Sequence, residues 1–266
     1  MTVMYPFTVL GAAGWIGSAL VADLSRRGHK VLPVVRSELR SWLGRDEKLG
    51  PVIYAIGLTA DFREHPHATA EAHVGLLSQV LQRSGLSNLL LLSSTRVYSR
   101  SKFTSETAAL PCLSSDPSDL YNLSKLMGEA LVLRDSRPGC KVARVSNVVG
   151  VGQPSRTFVG SLLKEARDCG EVMIQQPASM AKDYVALGDV VRLLPRIAVE
   201  GKQRLYNLGS GMNTSHAQVA KWLESQGVRV SFASETTGEL SFPDLSIDRL
   251  AAEFEPPGAP FLQTLL

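Results

Sequence analysis

Five short stretches of the chain are apolar almost without a break: "FTVL" (7–10), "VLPVV" (31–35), "VIYAI" (52–56), "LLLLSS" (89–94) and "KVARVS" (141–146). Runs of that length suit strands buried on both faces of a parallel sheet. Between them, apolar positions recur at helical spacing over 15–28, 68–84 and 119–135. Strand alternating with helix from the N-terminus predicts an α/β fold built on a doubly wound parallel sheet.

The rhythm changes after about residue 150. Helices are predicted over 158–170, 189–200 and 214–227, the last capped by Thr214 or Ser215 and stopped by Gly227. Short strand-like pieces, "EVMIQ", "RLYNLG" and "VRVSFA", lie between them. The expected organisation is a large domain over 1–153 with a returning segment at about 183–209. A small mixed α/β C-terminal lobe takes about 154–182 and 210–266.

Composition excludes several classes. Hydrophobic content is 44%, charged content 20% and net charge +3, as in an ordinary globular protein. The basic residues are scattered, which gives no footprint for nucleic acid. No apolar run reaches the 18 residues of a membrane span, and "MTVMYPF" lacks the features of a secretory signal. Cys112, Cys140 and Cys169 are odd in number and far apart, so neither a disulfide framework nor a zinc site is expected, and a reducing cytoplasm fits. His65 and His67 flank a proline without further ligands at helical spacing and read as loop histidines; no metal is expected.

The first chemical signal is "TVLGAAGWIGSAL", with Gly11, Gly14 and Gly17 between the first strand and the first helix. Gly11 permits the tight turn, Gly14 lets backbone approach a pyrophosphate, and Gly17 lets the helix pack on the sheet. The helix N-terminus favours the ligand's negative charge. Trp15 and Ile16 beside these glycines, with Ala55 and Gly57 at the end of the third apolar run, complete the expected cofactor-binding set. The second strand ends in "VVRSE", with Arg36 where an acidic residue would hold an NAD ribose. A guanidinium there suits a 2′-phosphate, so NADP(H) is favoured over NAD(H). Alternatively Arg36 is simply solvated and Glu38 takes the ribose.

The pattern Tyr-x-x-x-Lys occurs twice, as "YSRSK" (98–102) and "YNLSK" (121–125). The second copy follows capping candidates Asp116, Ser118 and Asp119, and Leu123, Leu126, Met127, Ala130 and Leu131 form a stripe around it. That makes Tyr121 and Lys125 a helical i,i+4 pair. Tyr98 lies in a Ser-rich segment without helical period, where the same spacing brings nothing together. Moving a tyrosine pKa from near 10 toward 7 takes about 4 kcal/mol, which a lysine ammonium and an oxidised nicotinamide are expected to supply. Such a tyrosine exchanges a proton with a substrate hydroxyl while hydride moves.

"GAAGWIG", "LLSSTRVY", "SETAALP", "YNLSKLMGEAL", "ARVSNVVGVGQ", "KDYVALGDVV" and "YNLGSG" follow one another in an order that resembles the extended short-chain dehydrogenase/reductases, the NAD-dependent epimerase/dehydratase group. "DLSIDRLAAEF" (244–254) resembles that group's C-terminal segment. The resemblance implies a Rossmann-type fold and hydride transfer at a carbonyl or secondary alcohol, of a sugar nucleotide or a similar small carbonyl compound. It implies Tyr121 as acid/base, Lys125 on the nicotinamide ribose, and Ser94, or Thr95 if the register slips, on the reacting oxygen. Asn147 and Lys182 fall on the substrate side, Lys182 where many members carry an arginine toward the diphosphate. Departures are His73 in place of the usual asparagine, Ser99 in place of a glycine, a short 36–50 stretch and a compact second lobe.

A homodimer through helices 68–84 and 119–135 is implied as well, with Leu76, Val80, Leu126 and Leu133 as its apolar candidates. The family favours a bound, recycled NAD, whereas Arg36 favours a stand-alone NADPH-dependent carbonyl reductase. A non-enzymatic dinucleotide-sensing regulator is disfavoured because the tyrosine–lysine pair is retained, and a serine hydrolase because no G-x-S-x-G occurs.

Overall fold

The apolar runs assemble into one parallel sheet in the computed structural model, which describes residues 5–45, 49–58, 62–233 and 242–258. Its strands lie side by side as Lys30–Val34 (β2), Pro6–Leu10 (β1), Val52–Tyr54 (β3), Asn88–Ser94 (β4), Gly139–Val145 (β5) and Leu205–Leu208 (β9). All five pairings are parallel. The chain steps from β1 outward to β2 and then returns to the other side of β1 as β3. That reversal opens a crevice at the carboxyl ends of β1 and β3, the usual ligand position in sheets of this kind.

Period-2 alternation explains why both faces are apolar. Phe7, Val9, Ile53, Leu90 and Leu92 face helices Trp15–Arg26 (α1) and Leu187–Glu200 (α7). Leu10, Val52, Tyr54, Leu89 and Leu91 face the opposite layer. There Leu39–Leu43 (α2) inserts Trp42, and a stacked helix runs as Pro66–Ala70 (α3), a π-helical turn Glu71–Gly75 and Leu76–Leu81 (α4). Each buried leucine contributes about 1.5–3 kcal/mol, so either layer by itself outweighs any single polar defect.

Helix Asp119–Arg134 (α5) departs from the amphipathic expectation. Its buried face is Tyr121, Asn122, Ser124, Lys125, Gly128, Glu129 and Val132, while Leu123 and Met127 are 39% and 54% exposed. The apolar stripe read from the sequence therefore points largely outward, because the polar side of this helix faces the site. No side chain caps its N-terminus; Asp116 instead accepts the Ser118 N–H at 2.8 Å, closing a turn before the helix. The four apolar dimer candidates face inward: Val80 is fully buried, Leu76 and Leu133 pack on the same core layer, and Leu126 packs beside Tyr98.

A buried polar network ties α5 to the sheet. Glu129 receives Arg144 through Nε at 3.1 Å and Nη2 at 2.7 Å, and Ser93 donates to the same carboxylate. Arg144 also donates to the Tyr98 hydroxyl, which donates to Asn207 Oδ1. Asn207 Nδ2 in turn reaches the carbonyls of Thr104 and Ser246. Every charge in this set is paired, as burial demands.

Beyond β5 the chain builds a second layer. Asn147–Val149 (β6) pairs with Ala181–Ala186 (β8), and β8 with Asn213–Ser215 (β10). Glu171–Ile174 (β7) pairs with Arg229–Phe232 (β11). Helices Phe158–Cys169 (α6) and His216–Ser225 (α8) pack between them around Val159, Leu162, Val219 and Leu223. Ser215, not Thr214, caps α8, in a reciprocal pair with Gln218. A short helix, Asp248–Ala251 (α9), closes against β9 through Leu250. No helix among the described residues is long and apolar enough to cross a membrane.

Candidate active site

Gly11, with φ +86°, carries the chain from β1 into the turn before α1. A Cβ there would stand 2.9 Å from the Ala55 carbonyl, and one at Gly17 would stand 2.2 Å from Gly11 O. The glycines thus bring β1, β3 and the mouth of α1 together beside a cavity of about 410 Å³, which Gly14 and Gly17 help to line at the N-terminus of α1. Trp15, Ile16, Ala55, Gly57 and Lys125 line it. A flat dinucleotide fits such a backbone cradle with an apolar wall. A second cavity of about 510 Å³ opens toward the second lobe and carries Thr95, Arg96, Arg156 and Lys182. Ser94, Tyr121 and Asn147 line both, so the two form one cleft with these side chains at its waist.

Tyr121 is 3% exposed. Burial pushes its pKa up, while a hydrogen bond with Ser94 and the positive charge of Arg96 pull it down; the net direction is upward. The phenol is therefore protonated at neutral pH and poised to give a proton to a carbonyl oxygen. Ser94 ends β4 and accepts the Arg96 N–H at 3.2 Å, which fixes its hydroxyl at the start of the 3-10 turn Thr95–Tyr98. Lys125 is buried, donates to the Leu92 carbonyl at 3.0 Å, and sits with Nζ 5.8 Å from the centre of the Tyr121 ring. Desolvation brings its pKa down to about 8, and Glu129 acts in the opposite direction.

His73 lies at the π-helical turn and is 2% exposed. The Leu58 N–H donates to its Nε2 at 3.3 Å, so Nδ1 carries the proton and donates to Ser124 Oγ at 2.8 Å. Ser124 passes its own hydrogen to the Tyr121 carbonyl at 2.9 Å. Burial, with the Lys125 charge second, holds the imidazole pKa down at about 2, so it stays neutral. A Cβ on Gly57 would come within 3.1 Å of His73 Nε2 and 3.4 Å of Lys125 Nζ, so a larger residue there would have to displace the imidazole by a few tenths of an ångström.

The other sequence expectations fall out as follows. Asn147 donates to the Asp183 carbonyl at 2.9 Å from the floor of the cleft. Lys182 stands on β8 with Nζ 5.6 Å from the Phe158 ring centre. Arg36 is exposed in the turn after β2 and lines neither cavity, and Glu38 accepts the Val35 N–H at 3.4 Å. Tyr98 is 1% exposed with its hydroxyl engaged in the buried network, while Lys102 is solvent-exposed. Sequence reasoning passed over Arg96, the cation acting on Tyr121. Its only signal was a charged residue inside the otherwise neutral "SSTRVY".

The fold has counterparts in known proteins. The chain is 27% identical over 254 residues, 83% of its length and 79% of the relative's, to a dTDP-6-deoxy-L-talose 4-dehydrogenase (NAD(P)(+)) of Kitasatospora kifunensis. Among solved structures, MoeE5 in complex with UDP-glucuronic acid and NAD superposes with a TM-score of 0.82 at 22% identity, covering 97% of both chains. The UDP-glucose 4-epimerase of Thermotoga maritima with UDP-glucose gives 0.81 at 20%, covering 97% and 95%. These superpositions establish the shared fold. The model of the NAD dependent epimerase/dehydratase family matches residues 7–209. That span takes in all six strands of the large sheet, and on it the chain belongs to the NAD dependent epimerase/dehydratase family, as an oxidoreductase-type enzyme.

Proposed function

We propose that the protein moves hydride at a carbonyl or secondary alcohol of a nucleotide-linked sugar, as an NAD(P)-dependent epimerase/dehydratase-type oxidoreductase. One observation carries the reading. Tyr121, Ser94 and Asn147 occupy the waist of a cleft whose one half is the glycine cradle and whose other half is cationic and open to the second lobe. The same relation is proposed for the domains: 1–153 with 183–209 holds the cofactor, and 154–182 with 210–266 holds the substrate. The names of the similar proteins, a dTDP-sugar dehydrogenase and structures holding UDP-sugars with or without NAD, favour this substrate class.

Bound in the cradle, a nicotinamide cofactor supplies the hydride donor or acceptor. Tyr121 would give a proton to the reacting oxygen in the reducing direction; in the oxidising direction it would accept one only as the phenolate, after losing its own proton under the charges of Lys125 and an oxidised nicotinamide. Ser94 holds that oxygen beside Tyr121, and its donor strengthens as negative charge develops there. The Lys125 ammonium, fixed by Leu92, lines the cradle, where its remaining N–H groups would hold the nicotinamide ribose. His73 keeps the Leu58 backbone and α5 in register.

A stand-alone NADPH-dependent reductase is the second reading, favoured by Arg36 exposed at the end of β2 and by a phenol already protonated. A homodimer through the outward apolar side of α5 is proposed too, and three free cysteines fit a cytoplasmic setting. Purified protein incubated with nucleotide-linked hexoses and keto-hexoses decides the reaction. Epimerised or dehydrated product with NAD retained supports the first reading. Stoichiometric loss of NADPH absorbance supports the second, and no reaction with any of them refutes both.

A further inference from the structure

Two of the cations on the wall of the larger cavity, Arg96 and Lys182, form no ion pair among the described residues. Arg96 extends from the 3-10 turn after Ser94, its guanidinium 5.0 Å from the centre of the Phe62 ring and 5.7 Å from that of Tyr121. One of its terminal nitrogens donates to the Ser118 carbonyl at 3.3 Å, and its buried Nε has no partner among the described residues. The neighbouring carboxylates are committed elsewhere. Asp119 receives Arg100 Nε, the Leu113 N–H and Asn122, and Asp116 receives Arg100 and the Ser118 N–H. On β8, Lys182 has its pKa held down by burial first and by the charge of Arg96 second. Asp183, the one acid among the described lining residues, is taken by Ser210 and the Met212 N–H.

Two like charges sharing a half-enclosed wall repel each other and lose hydration, so the ligand that fits there brings negative charge. A guanidinium with free donors suits a planar oxyanion in particular. Two parts of a nucleotide-linked sugar can bring negative charge there: the tetrahedral phosphates of the diphosphate and, in a uronic acid, a planar carboxylate on the sugar ring. Position separates them. Arg96 stands against Tyr121 and one residue pair from Ser94, the groups that hold the reacting oxygen, whereas Lys182 lies on β8 beside Phe158. A carboxylate on the carbon next to the reacting one stays near that oxygen, while the diphosphate is removed from it by the sugar ring.

We propose that Arg96 is the subsite for a carboxylate carried by the substrate's sugar ring, so that the preferred substrate is a nucleotide-linked uronic acid rather than the neutral hexose. This rests on the sugar-nucleotide reading of the cleft. Lys182 remains available to the diphosphate.

The test is a binding ratio, because Arg96 also acts on Tyr121 and turnover alone would not separate the two effects. Calorimetry on cofactor-loaded protein compares UDP-glucuronate, UDP-glucose and UDP, and free glucuronate against glucose, in the wild type, Arg96→Gln, Arg96→Lys and Lys182→Gln. Wild type is expected to bind the uronate form about 30-fold more tightly than the glucose form. Arg96→Gln abolishes that ratio and leaves UDP affinity alone, Arg96→Lys keeps part of it, and Lys182→Gln weakens UDP itself. Unchanged thermal midpoint and cofactor affinity check that each variant is folded. Equal affinity for both sugars in the wild type, or an equal loss of UDP and uronate affinity in Arg96→Gln, overturns the inference. Absence of hydride transfer with every ligand refutes the proposed function instead, while the free-uronate ratio still reads the Arg96 subsite.

Discussion

Lys125→Met is expected to make the protein more stable at neutral pH and inactive. The ammonium is buried, and its pKa falls from 10.5 to about 8 mainly through desolvation. The unfolded chain therefore holds the proton more tightly than the folded one. Below pH 8 this difference costs the folded state about 3 kcal/mol, because each pKa unit is worth ~1.4 kcal/mol. The lost hydrogen bond to the Leu92 carbonyl costs the variant about 1 kcal/mol, which leaves a net gain of roughly 2 kcal/mol at pH 7. The sign of the pH dependence follows from linkage. Between pH 8 and 10.5 the unfolded state binds more protons, so wild-type stability rises with pH and the penalty shrinks to about 1 kcal/mol by pH 10. The advantage of the methionine variant should accordingly vanish there. Urea unfolding of both proteins at pH 7 and pH 10, with equal slopes in denaturant, measures this directly. A variant no more stable than the wild type at pH 7, or an advantage that persists unchanged to pH 10, would refute the reasoning.

Four further substitutions have definite expected outcomes. Tyr121→Phe should lower turnover by about 10²- to 10⁴-fold with little change in thermal midpoint, as expected for a lost acid/base. Tyr98→Phe should do the reverse, destabilising by about 1–3 kcal/mol because Asn207 and Arg144 lose a buried partner, with a far smaller effect on turnover; steady-state kinetics beside thermal melts on both variants would expose a swapped assignment. If Arg36 receives a 2′-phosphate, Arg36→Ala should weaken NADP(H) by about tenfold and leave NAD(H) unchanged in fluorescence titration; equal losses for both would remove Arg36 from the site. Met127→Glu with Leu123→Glu should turn a dimer into a monomer by light scattering without loss of secondary structure, and a wild type already monomeric at micromolar concentration would dispose of that interface.

The large sheet was legible because its strands are buried on both faces and so appear as unbroken apolar runs; β1 to β5 coincide with those runs to within two residues at either end. The glycine turn was legible for a similar reason, since backbone approach there excludes any other residue. The strands β6, β8 and β10 were not, because Asn147, Lys182, Asp183 and Asn213 interrupt them and their pairing is decided by segments far apart in sequence. The orientation of α5 was misread because apolar period normally marks the buried side. Here Tyr121, Ser124, Lys125 and Glu129 are buried by the site, and Leu123 and Met127 are left outside. Leu126 and Leu133 on α5 and Leu76 and Val80 on α4 pack against core clusters for the usual reason that apolar period marks the buried side. Arg96 left no signal beyond its charge within "SSTRVY", and the Glu129–Arg144 pair left none, because Arg96 meets Tyr121 and Arg144 meets Glu129 only through the packing of α5 on the sheet.

Asn207 sets an order of events for folding. Its side chain joins Tyr98, Thr104 and Ser246, of which the first two lie more than a hundred residues away in sequence. Closing such long loops is entropically expensive and comes after the local β–α units have formed. The Asn207 contacts should then be absent from the rate-limiting barrier and present only in the finished molecule. Weakening them would hasten unfolding while scarcely slowing folding. The first Tyr-x-x-x-Lys copy thus serves as a latch on the lifetime of the native state, and the second copy works behind it.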